Sequence, residues 1–225
     1  MWLMNPDGSE RSVAVPQAHN VLSISSCGDR YLLFDSYRDG KVELWRADAD
    51  GLNGIKQLDE VRYSDCSADG KWMFYVVNDK LYRMPPGDGP AVEIMTVPGH
   101  SGAWRVKVSP DGTAVAFMYQ EGSPVPVSKL GVVSAAGGPL RFTSTVPIGS
   151  VGLCWSPTGK ALQYLLTRNG ATNVWEQALT GGAPRQITNF PSGRIFDFAW
   201  SRGGKQLLLA KGNQSSDVIL ISNFR

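Results

Sequence analysis

One short phrase returns along this chain at a nearly fixed interval. Ser67-Ala68-Asp69-Gly70-Lys71, Ser109-Pro110-Asp111-Gly112-Thr113 and Ser156-Pro157-Thr158-Gly159-Lys160 are near copies of one another. Ser201-Arg202-Gly203-Gly204-Lys205 is a weaker copy, and Ser26-Cys27-Gly28-Asp29-Arg30 the most degenerate. Their serines lie 41, 42, 47 and 45 residues apart. Repetition at about 40–50 residues is the mark of propeller blades, each a supersecondary unit that must stack on a neighbour to bury its faces. The phrase also has a local meaning. Ser suits the first position of a type I turn, Pro the second, and Gly the left-handed exit. Each phrase is therefore a hairpin turn, with Gly112 and Gly159 expected at positive φ.

The stretches around the phrase complete the unit. Short strands precede it, as in Phe196-Asp197-Phe198-Ala199-Trp200, and more apolar ones follow at 31–34, 72–77, 114–119, 161–166 and 206–210. Continuous apolar runs of that length fit strands buried on both faces. A third strand is expected at 42–46, 80–84, 129–134, 173–178 and 217–222. A second turn follows (Asp50-Gly51, Gly87-Asp88-Gly89, Gly137-Gly138, Gly181-Gly182), then a polar strand such as 184–188. Four strands per period make a blade. The expected fold is all-β, a single propeller domain over 1–225 of about five four-stranded blades. Its divisions fall near 1–18 (partial), 19–60, 61–101, 102–148, 149–193 and 194–225. The pattern has one strand more than five closed blades need. It points to an open fragment of a six- to eight-bladed propeller, the C-terminal part of a longer one, prone to self-association through uncovered edges.

Charge and composition remove whole classes of function. The 225 residues carry a net charge of +2 with no run of five or more like charges, so there is no footprint for nucleic acid. No apolar stretch is long enough to cross a membrane, and the first eight residues lack the basic and apolar regions of a secretory leader. The compartment is left open between cytoplasm and periplasm. Three cysteines, Cys27, Cys66 and Cys154, form no Cys-x-x-Cys pair and are odd in number. They are expected to be reduced and structural.

The best copy of the repeat runs from Cys154-Trp155-Ser156-Pro157-Thr158-Gly159-Lys160 to Pro184-Arg185-Gln186-Ile187-Thr188. It resembles the PD-repeat of TolB-like propellers, and the resemblance covers nearly the whole chain. The stretch from Ile195 to Arg225 is similar to the propeller that ends certain bacterial serine/threonine kinases and winged-helix regulators. No Gly-His and Trp-Asp pair marks each blade, so the eukaryotic WD-repeat signature is absent. The resemblance implies a broad functional range: the periplasmic component of the Tol system, sensory ends of kinases, and propeller halves of prolyl-oligopeptidase-like hydrolases. Fold alone does not choose among them.

No catalytic constellation is legible, and neither cofactor nor metal is expected. Gly99-His100-Ser101-Gly102-Ala103 breaks the Gly-x-Ser-x-Gly nucleophile pattern at its last position and has no helix after it. The two histidines, His19 and His100, are far apart among loop-like residues. The Gly-Lys pairs at 70, 159 and 204 lack the earlier glycine of a phosphate loop. The acidic stretch Asp48-Ala49-Asp50-Gly51 has Arg46 and Gln57 where calcium ligands should stand. Asn213-Gln214-Ser215 is a formal glycosylation sequon with no weight in a bacterial protein. Trp155 and Trp200 share the position before the turn serine, and Trp45 and Trp175 share the third strand with Tyr82, so all four read as packing.

Charges on otherwise apolar first strands are the exceptions: Asp65, Arg105, Lys107 and Asp197. Mutual pairing or channel water is the plain expectation for them. The starts of first strands share one rim with the loops at 35–40, 120–126 and 167–170. There Arg62, Tyr63, Trp104 and Arg105, with Asp197, form a candidate patch for a protein or peptide partner that is acidic or extended, since Arg and aromatic side chains dominate interface hot spots. The expected function is a non-catalytic interaction, scaffolding or sensory module of a larger bacterial signalling protein. The alternative is the gating propeller of a hydrolase whose catalytic domain lies elsewhere.

Overall fold

The computed structural model describes residues 2–3, 5, 9–13, 15, 20–99, 103–201 and 203–213. After β1 (Trp2–Leu3) and β2 (Ser12–Val13) come four four-stranded antiparallel sheets. Blade 1 is β3 (Val21–Cys27), β4 (Tyr31–Arg38), β5 (Lys41–Asp48) and β6 (Ile55–Asp59). Blade 2 is β7 (Arg62–Cys66), β8 (Met73–Val77), β9 (Lys80–Met84) and β10 (Val92–Thr96). Blade 3 is β11 (Ala103–Val108), β12 (Ala114–Glu121), β13 (Val127–Ser134) and β14 (Phe142–Thr145). Blade 4 is β15 (Val151–Trp155), β16 (Ala161–Arg168), β17 (Ala171–Ala178) and β18 (Arg185–Gln186). β19 (Arg194–Trp200) and β20 (Leu207–Gly212) pair as the first two strands of the next unit, and the third strand expected at 217–222 lies outside the described residues. The blades are arranged around a common axis as a propeller.

The turn phrase does what its residues dictate. In blade 3 the Gly112 amide donates to the Ser109 carbonyl at 2.9 Å. Ser109 Oγ donates to Asp111 Oδ1 at 2.6 Å and accepts from the Ala114 amide at 3.0 Å. Blade 2 repeats this with Ser67, Asp69 and Trp72. Gly112 and Gly159 have φ of 73° and 68°, as the turn reading requires. The most degenerate phrase departs from it. Cys27 pairs directly with Tyr31 across three turn residues, so Ser26 belongs to β3 and is no turn serine.

Burial on both faces explains the apolar second strands. In β12, Val115, Phe117 and Tyr119 pack with Phe74, Val76 and Leu81 of blade 2. Ala116 and Met118, on its other face, pack with Leu153, Trp155, Leu162 and Tyr164 of blade 4. A further cluster joins Leu33 and Leu44 of blade 1 to Met73 and Tyr75 of blade 2. Each blade is thus cemented to its neighbours in sequence.

The cysteine expectation is corrected. Cys27 and Cys66 form a disulfide between blades 1 and 2, their Cα atoms 5.0 Å apart, and only Cys154 is free. Spacing along the chain hid this pair, because equivalent positions 39 residues apart meet where adjacent inner strands converge.

Candidate functional site

The inner strands β3, β7, β11, β15 and β19 surround a central channel of about 530 Å³. Every one carries a β-bulge near its start: between Val21 and Ser23, Arg62 and Asp65, Trp104 and Lys107, Val151 and Cys154, and Ile195 and Asp197. A bulge bends the strand and re-aims a side chain. In blade 4 it is taken by Gly152, at φ 68°. Blades 2 and 3 place Tyr63 and Arg105 there, both at φ 59°. A left-handed conformation costs a residue with a Cβ roughly 1–2 kcal/mol, so the surroundings must hold these two in place.

Asp35 of β4 supplies the hold at Tyr63. Its carboxylate accepts from the Tyr63 amide at 3.0 Å, the Ser64 amide at 3.3 Å, Ser64 Oγ at 2.8 Å and Ser23 Oγ at 2.6 Å. Asp35 is only 1% exposed. Burial pushes its carboxyl above the ordinary range, and the four hydrogen bonds oppose that. The sequence reading assigned residue 35 to a rim loop. It lies inside β4 and bridges to the next blade. The one signal available was an acid directly after Leu33-Phe34 in an apolar run.

The candidate rim residues divide. The Arg105 guanidinium lies over the Tyr63 ring at 5.9 Å, within cation–π reach. Tyr63 lines both the channel and a groove of about 570 Å³ that includes Lys41, Glu60, Asn78 and Trp104. Trp104 is half-buried and packs against the clusters on both sides of blade 3, so much of its surface serves the fold. Arg62 opens β7 opposite Val76. Asp197 is exposed on the channel wall, where its Oδ1 accepts from the Phe198 amide at 2.9 Å. The structure joins Tyr63, Trp104 and Arg105 at one edge, while Asp197 stands on β19.

Deeper in the channel Lys107 Nζ lies 3.5 Å from Asp65 Oδ1, and Asp65 Oδ2 accepts from the Val108 amide at 2.8 Å. The Asp65 carboxylate holds the Lys107 ammonium above the ordinary lysine range. Burial pushes the neighbouring Cys154 thiol up, and Lys107 partly opposes it. The tryptophans are structural in the way the repeat suggested: Trp155 Nε1 donates to the Lys107 carbonyl at 2.9 Å and Trp200 Nε1 to Gln163 Oε1 at 2.7 Å. Among the described residues no group of three His, Cys, Asp or Glu could hold a metal. His19 and residues 100–102, which include His100, lie outside them.

No protein-family model matches the sequence, and no curated protein matches it by sequence. Solved structures do match in fold. TolB from Acinetobacter baumannii superposes with a TM-score of 0.64 at 18% identity, over 80% of this chain and 46% of that one. The chain has a β-propeller fold like that of TolB. This chain spans less than half the length of that TolB chain. It also matches an acylaminoacyl peptidase from Pyrococcus horikoshii, with a TM-score of 0.60 at 8% identity, over 84% of this chain and 35% of that one. A chain in a nidogen/laminin complex gives a TM-score of 0.66 at 12% identity, over 93% and 78%. At these identities the likeness of this propeller to each is one of fold.

Proposed function

We propose that this propeller is a non-catalytic protein-interaction module that takes an extended, acidic peptide segment at the rim of blades 2 and 3, within a larger bacterial signalling protein. The observation that carries the reading is the pair of left-handed bulges. Two positions where glycine would be free of strain instead carry an aromatic ring and a guanidinium stacked on it. Strain held at a surface by a buried carboxylate points to a use for the side chains displayed. Arg105 would meet a carboxylate, and Tyr63 and Trp104 would supply flat apolar area beside it. Two structural neighbours come from protein assemblies, the nidogen/laminin complex and a mitotic checkpoint complex. The peptidase neighbours favour a second reading, a gating propeller beside a hydrolase domain.

Arg105→Gly is the informative variant, because it removes the guanidinium and relieves the backbone together. With a set of labelled extended peptides rich in Asp and Glu, and basic counterparts as controls, the wild type should bind the acidic set and weaken as salt is raised. Arg105→Gly should lose about tenfold or more in affinity with its thermal transition intact. Equal binding by both proteins would remove this rim as the site.

A further inference from the structure

The disulfide occupies one interface only. Cys27 ends β3 and Cys66 ends β7, at equivalent places just before their hairpin turns. The matching residues of the next inner strands are Val108, Trp155 and Trp200. Both sulfurs are buried in the blade 1–blade 2 cluster with Leu33, Leu44, Val61 and Met73. Beside them the two turns meet backbone to backbone: a Cβ built on Gly28 would lie 3.3 Å from the Gly70 Cα.

Blade 1 is the first of the four full blades, and its β3, β4 and β5 all contact β7 of the next blade. Its inner strand packs on β7, while Leu22 and Ile24 of the same strand are 55% and 47% exposed. In a row of units that contact only their neighbours, an end unit loosens before the middle ones. That interface also carries the hydrogen bonds from Tyr63 and Ser64 to Asp35, so the bulge at Tyr63 depends on blade 1 staying docked.

We propose that the Cys27–Cys66 disulfide is a redox-controlled staple, which when closed holds blade 1 and the Tyr63 bulge in place and when opened releases both. The regulatory half of this rests on the rim being the binding site. Opening takes two electrons and two protons from a dithiol. One reductant thiolate attacks a sulfur to give a mixed disulfide, and its second thiol resolves it. Cys27 and Cys66 are left as thiols and the reductant as a disulfide. The burial of both sulfurs means that attack follows a local opening of blade 1. Cys154 is not within this cluster, and its half-buried thiol, held up by desolvation, is a poor attacker.

Differential alkylation and amide exchange test this on the whole chain without any peptide. After equilibration with oxidised glutathione and denaturation, one cysteine, Cys154, should alkylate; after dithiothreitol, all three. On reduction the amides of β3 and β4 should exchange about 30-fold or more faster, the scale of a lost native cross-link, while those of β12 and β16 stay unchanged. Three alkylated cysteines in the glutathione-treated protein would overturn the proposal. So would a closed disulfide whose reduction leaves β3 and β4 exchange unmoved. Cys27→Ala/Cys66→Ala should match the reduced protein, and the reduced wild type carries the test if that variant fails to fold. A peptide that binds neither redox state counts against the rim alone, because exchange is read in its absence.

Discussion

At the scale of single residues, the informative positions are those where backbone and side chain disagree. Gly112 sits at φ 73° with nothing within 4 Å of a Cβ built there, so Gly112→Val should cost only the conformational penalty, roughly 1–2 kcal/mol. Gly204 has φ 65° as well, but its Cβ would lie 2.6 Å from Pro157, so Gly204→Ala should destabilise more than Gly112→Ala. Paired urea denaturations decide the order, and equal shifts would mean that the turn near Pro157 yields freely. Asp35 makes a prediction about pH. Its folded carboxyl titrates above the ordinary 3.8, so the native state holds the proton where the unfolded chain has lost it. Its contribution is therefore complete below the unfolded value and lost as pH rises through the raised one. The stability of wild type relative to Asp35→Asn should fall across that window, measured as urea midpoints in pH steps. A flat difference would mean that folding leaves the proton affinity of Asp35 unchanged. Arg105 was visible in the sequence as a charge on an apolar strand, and Tyr63 as an aromatic residue at the start of one. Asp35 was not, because its partners lie 28 and 29 residues away in the next blade and no local pattern encodes them.

At the scale of elements, what is local was legible. The hairpin phrase closes through bonds between residues two to five apart, and its residue types announce it. Removing one hydroxyl tests how much this contributes. Ser109→Ala loses both the acceptor for the Ala114 amide and the donor to Asp111, and should cost about 0.5–1.5 kcal/mol per bond lost. An unchanged denaturation midpoint would mean that water replaces Ser109 Oγ without loss. The fifth phrase misled because a tighter turn, with Cys27 opposite Tyr31, needs no serine. The one outer strand given bounds was read too long for a reason of its own. The expected strand at 184–188 is regular only over Arg185–Gln186, since an exposed edge has little packing to enforce pairing. The disulfide escaped notice because a cysteine pair is defined by where adjacent blades converge, and spacing along the chain does not reveal that.

At the scale of the molecule, apolar side chains remain uncovered toward either end of the run of inner strands. Leu22 and Ile24 on β3, Phe196 on β19 and Leu208 on β20 are each about half exposed. Clusters of this kind favour association. Sedimentation at rising concentration should show growing self-association, reduced in a Leu22→Ser/Ile24→Ser variant. A single monomeric species at every concentration would show that these faces are tolerated in water. The packing between blades has one more consequence, which concerns time. Each core cluster joins units that are consecutive in the chain, so a blade can dock as soon as its neighbour has left the ribosome. Cys66 emerges 88 residues before Cys154. At roughly 5–20 residues per second, that is roughly 4–18 seconds in which the correct pair can meet while the third thiol has yet to be made.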